Sequence, residues 1–188
     1  MSYRNREIES KWIVTARSLD QVRMVLDQCC KYPKKVITGR SKDTYWTAPN
    51  NDSKAQFVRV RVLGPNQSQI TVKDAYKEDS NSRLEIDVES SSNATSIHSL
   101  LKALIGPPAG AVTKEYVVYW PEDSEHVTIS AYIVEGYENK VIVELEATTE
   151  KQVSDMCAQI VPELMDVFLG VEEAKGSLYD MFVAVGEK

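Results

Sequence analysis

The pattern that most restricts this chain is an alternation of charged and apolar residues with the two-residue period of a β-strand, repeated along the sequence. Glu7-Ile8-Glu9-Ser10-Lys11, Arg59-Val60-Arg61, Arg83-Leu84-Glu85-Ile86-Asp87 and Glu144-Leu145-Glu146 all carry it. Residues i and i+2 of a strand share a face and lie about 7 Å apart, so each segment presents paired charges on one side. Taken singly, such a row is the solvated face of a half-buried antiparallel sheet. With Lys73 and Lys114, which lie in strand-like contexts, the rows supply six basic candidates (Lys11, Arg59, Arg61, Lys73, Arg83 and Lys114) and six acidic ones (Glu7, Glu9, Glu85, Asp87, Glu144 and Glu146). If the sheet closes into a barrel with helices packed outside, the apolar rows meet those helices and the charged rows line a polar interior.

Burying so many charges is costly even when they pair, unless a guest compensates them. Arginine and lysine bind phosphate oxygens, and closely spaced carboxylates hold a hard divalent cation such as Mg²⁺ or Mn²⁺. A polyphosphate carrying its metal satisfies both halves of the set.

The rest of the chain fits one α+β domain over residues 1–188. Residues 6–16 alternate as a strand, and Ser18 stands as N-cap before Leu19, Val22, Val25, Leu26 and Cys29 at helical spacing. Short strand-like stretches follow at 36–37, 43–47, 57–63, 69–75 and 82–89, separated by turn-prone segments. A second helix carries Ile97, Leu100, Leu101, Leu104 and Ile105 before Gly106-Pro107-Pro108, and strands resume at 114–120, 127–134 and 140–147. Thr149-Glu150-Lys151-Gln152 has capping-box spacing and opens a helix expected to reach Leu169, and 177–183 reads as a last short helix.

Twenty-two basic residues against 28 acidic ones give a net charge of −6, which argues against a general nucleic-acid or anionic-membrane binder. No apolar run approaches the roughly 20 residues of a membrane span, and the first eleven residues do not resemble a signal peptide, so a cytoplasmic location is expected. Cys29, Cys30 and Cys157 lack metal-ligand spacing and read as reduced packing residues. His98 and His126 have no neighbouring ligand cluster, which makes a histidine zinc site an unattractive reading.

Glu7-Ile8-Glu9-Ser10-Lys11 resembles the ExExK signature of the CYTH, or triphosphate tunnel, superfamily. Asp43-Thr44-Tyr45-Trp46 resembles that family's D-x-Y-[FYW] strand; RxR at Arg59 and Arg61, Lys73, RxE at Arg83 and Glu85, Lys114, ExE at Glu144 and Glu146, and Ser177-Leu178-Tyr179 follow in family order. The resemblance implies a closed antiparallel eight-stranded β-barrel with helices packed outside. It also implies that Lys11, Arg59, Arg61, Lys73, Arg83 and Lys114 form the catalytic and substrate-binding set that grips the phosphates. Glu7, Glu9, Glu144 and Glu146 would hold Mg²⁺ or Mn²⁺, with Glu85 sharing that role. Two positions depart from the pattern: Tyr116 stands where many members carry arginine, and Ser130 where many carry aspartate.

Family members include class IV adenylyl cyclases and thiamine, inorganic and RNA triphosphatases. The leading expectation for this chain is hydrolysis of inorganic triphosphate or of an organic or nucleoside triphosphate. Cyclisation of ATP to cyclic AMP and pyrophosphate is the alternative enzyme reading, and Tyr116 and Ser130 motivate a third, capture of a nucleotide or polyphosphate without turnover. The expected partner is a triphosphate-bearing small molecule, with neither nucleic acid nor membrane; a homodimer is compatible with the sequence.

Overall fold

The computed structural model describes residues 3–47, 55–74, 82–122 and 126–183, with side chains throughout these segments apart from residues 3–7, 55 and 82–84. Among the described residues the fold is α+β, a large antiparallel sheet with four helices. In chain order the elements are β1 (Tyr3–Thr15), α1 (Leu19–Cys29), β2 (Pro33–Thr47), β3 (Ala55–Gly64), β4 (Gln67–Asp74), β5 (Ser82–Ser90), α2 (Ala94–Leu104), β6 (Gly110–Pro121), β7 (Thr128–Val134), β8 (Lys140–Ala147), α3 (Glu150–Val167), β9 (Val171–Ala174) and α4 (Leu178–Phe182). No helix among the described residues is long and apolar enough to cross a membrane.

The chain divides into two compact units, one of Met1–Arg6, Ser41–Thr113 and Gly176–Lys188, the other of Glu7–Arg40 and Lys114–Lys175. In the first, β5, β4, β3 and β2 are neighbours in that order, and β5 also pairs with β1. Alternation along these strands sends Trp46, Val58 and Val60 to one face, where they form a core with Ile97 of α2. Ile70, Val72, Leu101 and Ile105 pack against that core, and each large apolar side chain fully buried there contributes about 1.5–3 kcal/mol. The Asn93 side chain caps α2 by accepting from the Ser96 amide at 2.8 Å. Trp46 Nε1 donates to the Gly106 carbonyl at 3.1 Å, tying the end of the helix to the strand below it.

The short helix α4 belongs to the same unit. Ser177 and Asp180 form a reciprocal capping box, and the Tyr179 ring stacks on Phe57 at 5.1 Å between centroids. The Tyr179 hydroxyl meets Thr47 Oγ1 at 2.9 Å.

In the second unit β6, β7, β8, β1 and β9 follow one another. The apolar face of these strands, with Val14, Val117, Ala131, Val143 and Leu145, is buried under α1 and α3 through Val22, Leu26, Ile160 and Leu164. The α3 N-cap Thr149 accepts from the Gln152 amide at 3.3 Å, as its capping-box spacing predicts.

Three features depart from the sequence expectation. The stretches 36–37 and 43–47 are parts of one 15-residue strand. Gly39 lies inside it, and a Cβ there would come within 2.8 Å of Tyr116 Oη, so the missing side chain admits that ring against the strand backbone. The helix α3 stops at Val167 rather than Leu169, and Thr15 N donates to the Gly170 carbonyl at 2.7 Å where the chain turns back. It turns into β9, a four-residue strand whose Val-Glu-Glu-Ala sequence has no alternating signal, paired with Lys11–Val14 of β1. The sheet therefore has nine strands among the described residues where eight were expected.

Candidate functional site

The second unit gathers charged residues on the strand face opposite α1 and α3, and the first on the face opposite α2, where α4 packs at Phe57 and Tyr45. In the second unit the β1–β8 register sets Lys11 across from Glu144 and Glu9 across from Glu146. The Lys11 ammonium lies 2.9 Å from Glu144 and 3.2 Å from Glu9, and Lys11 is only 3% exposed. Thr128 Oγ1 donates to Glu146 Oε2 at 2.9 Å and fixes that carboxylate from β7. Carboxylate oxygens of Glu9, Glu144 and Glu146 all lie within 4.8 Å of one another.

Two like charges placed directly opposite on adjacent strands destabilise a sheet, and Glu9 and Glu146 stand in that relation. The Lys11 ammonium offsets part of this charge. A divalent cation fits the remainder, since three convergent carboxylates supply the hard oxygen ligands that Mg²⁺ and Mn²⁺ prefer. Lys114 is also buried, with its ammonium over the Tyr132 ring at 4.3 Å from the centroid.

Burial pushes the Glu144 carboxyl up, but the Lys11 charge opposes it, and with help from Lys114 holds its pKa below 4.5 despite Glu9. A carboxyl whose folded-state pKa is depressed stabilises the fold above the unfolded value, and that contribution disappears as pH falls through the folded value. In urea unfolding, the stability advantage of the wild type over Glu144→Gln is therefore expected to be full above about pH 5 and to shrink on acidification below it. A difference that stays constant from neutral to acid pH rules this electrostatic account out.

In the first unit the register aligns Asp43 with Arg61, Tyr45 with Arg59, Arg59 with Thr71, Thr71 with Asp87, and Lys73 with Glu85. Asp43 is fully buried and receives two parallel hydrogen bonds from Arg61, Nε to Oδ1 and Nη2 to Oδ2, each 2.8 Å. Glu85 forms ion pairs with Lys73, Oε2 to Nζ at 2.6 Å, and with Arg59, Oε1 to Nη2 at 3.8 Å. Arg59 Nη2 donates to Thr71 Oγ1 at 2.9 Å, and that hydroxyl donates onward to Asp87 at 2.5 Å.

Burial works against the Arg59 charge, but Asp43 and Glu85 outweigh it and keep the guanidinium protonated. Arg59 Nε is buried and has no hydrogen-bond partner among the described residues. A buried guanidinium with an unused donor is suited to an anion that brings an acceptor to it.

Of the residues singled out in the sequence, Glu9, Lys11, Lys114, Glu144 and Glu146 fall in the second unit, and Arg59, Arg61, Lys73 and Glu85 in the first. Glu85 is engaged by Lys73 and Arg59. Glu7 and Arg83 lie on strands, but their side chains lie outside the described residues. Both clusters include residues that the charge pattern does not single out: Asp43, Thr71 and Thr128. Asp43 stands in period with Tyr45, but only the β2–β3 register reveals Arg61 as its partner.

No family model matches the chain, and no curated protein matches it. Solved structures do. The PH1819 protein from Pyrococcus horikoshii superposes with a TM-score of 0.65 at 21% identity, over 97% of this chain and 99% of that one. A candidate adenylyl cyclase from Hippeastrum, described as having a dominant triphosphatase activity, gives a TM-score of 0.63 at 15% identity over 95% and 96% of the two chains. A candidate adenylate cyclase from Vibrio parahaemolyticus gives 0.62 at 14% identity over 94% and 97%. The chain thus has the fold of these proteins, consistent with the CYTH superfamily fold that its ordered motifs resemble.

Proposed function

We propose that this protein binds a triphosphate together with a divalent cation and hydrolyses it. The observation that carries the reading is the placement of the Lys11 ammonium between Glu9 and Glu144, with Glu146 completing a three-carboxylate group. The charged rows are not solvated faces: Lys11, Lys73, Glu9 and Glu85 are all buried.

In this reading Glu9, Glu144 and Glu146 hold Mg²⁺ or Mn²⁺, with Glu7 beside them in sequence. The cation supplies Lewis-acid polarisation of a phosphoryl group. Lys11, Arg59, Arg61, Lys73, Arg83 and Lys114 neutralise the phosphate oxygens, and that neutralisation matters most where negative charge grows in the transition state. Glu85 and Asp43 hold Lys73, Arg59 and Arg61 in place before the ligand arrives. Water attacks the terminal phosphorus, and orthophosphate separates from the remaining diphosphate.

A product-resolved assay with inorganic triphosphate, thiamine triphosphate, ATP and 5′-triphosphorylated RNA, each with Mg²⁺ and Mn²⁺, tests this. Orthophosphate release that is lost in Glu9→Gln is the expected result. Cyclic AMP with pyrophosphate from ATP would instead establish the cyclase alternative. Ligand binding without any product would establish capture alone, the outcome favoured by neutral Ser130 opposite Glu144 on β7 and by Tyr116 packed on Gly39. Ser130→Asp adds a fourth carboxylate at that level, and calorimetry is expected to show Mn²⁺ binding tightened by about tenfold, or 1.4 kcal/mol.

A further inference from the structure

Lys114 starts at a distance from Glu144 along the strand face. Its Cα lies opposite Val134 in the β6–β7 register, whereas Glu144 lies opposite Ser130. Four residues of strand, about 13 Å, separate those two levels. Tyr132 stands midway between the levels, and the Lys114 ammonium lies over its ring at 4.3 Å. The lysine therefore runs along the strand face toward Glu144.

What surrounds Tyr132 explains why its ring can hold a cation there. Tyr132 is opposite Ile142 on β8 and Tyr116 on β6, and Ile142 is opposite Ile13 on β1. These four form an apolar row across the face that carries Lys11, Lys114 and Glu144. Tyr132 is 1% exposed and Ile142 is fully buried, and the Tyr116 ring is seated against Gly39. A cation over an aromatic face is held more strongly when water is excluded from the contact.

We propose that Tyr132 is a positioning residue, its ring face holding the Lys114 ammonium over the apolar row, partway from its own level toward that of Glu144, where it meets a phosphate oxygen of the metal-bound ligand. The ligand part of this inference rests on the triphosphate reading above; the placement of Lys114 does not. Lys114 is then the group that touches the phosphate, and Tyr132 acts through it.

Two measurements separate these parts. In protein labelled with ¹³C-lysine, the Lys114 ε-methylene resonance, assigned with Lys114→Arg, is expected to be displaced upfield by the ring current. The displacement should persist in Tyr132→Phe and vanish in Tyr132→Leu, with Tyr132→Met replacing the leucine variant if that one does not fold. Calorimetry with Mn²⁺–tripolyphosphate should show Tyr132→Phe within about twofold of wild type and Tyr132→Leu weakened about tenfold. In a Lys114→Met background the Tyr132→Leu change should cost nothing further, because the two side chains act as one unit.

An undisplaced resonance in the wild type, or one unaltered in Tyr132→Leu, overturns the placement. Additive losses in the double variant overturn the coupling. If the wild type itself fails to bind Mn²⁺–tripolyphosphate, the triphosphate reading falls, and the resonance alone decides whether Tyr132 holds Lys114.

Discussion

Replacing Lys11 by methionine is expected to destabilise the metal-free chain by about 3 kcal/mol at neutral pH while raising its affinity for Mn²⁺. The two effects have one cause. Lys11 is 3% exposed and bridges Glu9 and Glu144, so its removal leaves a buried and a largely buried carboxylate without their counter-charge beside a third. Methionine keeps much of the volume of the stem, which confines the loss largely to charge. A divalent cation then meets three carboxylates with no ammonium competing for their oxygens, and binding should tighten by about tenfold, or 1.4 kcal/mol.

The response to a phosphate ligand has the opposite sign. Lys11 is expected to donate a charge-assisted hydrogen bond to a phosphate oxygen, a bond worth about 1.5–3 kcal/mol. Mn²⁺–tripolyphosphate should therefore bind the variant roughly 10- to 100-fold more weakly than wild type. Urea unfolding with and without Mn²⁺, followed by calorimetry with each ligand, reads all three effects. Unchanged stability together with unchanged Mn²⁺ affinity would show that the ammonium does not neutralise this cluster.

The alternation of charge and apolar residues made the two-faced strands legible, because a strand's period fixes which residues share a face without reference to its neighbours. Val60 and Trp46 toward α2, and Arg59 and Arg61 away from it, follow from that period alone. Which charge meets which does not follow, since register is a property of two strands. Asp43 and Arg61 are separated by 18 positions, and Lys11 and Glu144 by far more, so their pairing is invisible to any local reading. The uncharged groups that fix charged ones are hidden for the same reason. Thr128 beneath Glu146 and Tyr132 beneath Lys114 look like ordinary strand residues until β7 is set beside β8 and β6.

The remaining differences are ones of continuity. Gly39 looks like a break between two short strands, but the Tyr116 ring packs against the position where a side chain would stand, and β2 runs through it. In β9 the residues Glu172 and Glu173 carry no apolar period, and the strand exists because β1 offers Lys11–Val14 as a pairing edge. Local propensity is weak beside such a template.

The Asp43–Arg61 pair provides the second large effect. Asp43→Ala removes a fully buried carboxylate that accepts two hydrogen bonds from one guanidinium and also supports the charge on Arg59. Two arginines on one strand face are then left with less compensation. Breaking a buried pair costs about 3–5 kcal/mol, and because Arg61 is 22% exposed and reaches water in part, a loss near the lower figure is expected. Arg61→Met in the same chain should recover much of it, since the stranded charge is gone; a double variant as unstable as the sum of the single ones would assign the loss to packing instead. An anion should recover it too. Metal-free tripolyphosphate brings oxygens to the same guanidinium with no aspartate to displace, so it should raise the melting temperature of Asp43→Ala by more than that of wild type. Equal shifts in the two proteins would mean that Arg61 does not meet the ligand, and would confine the role of the pair to the fold.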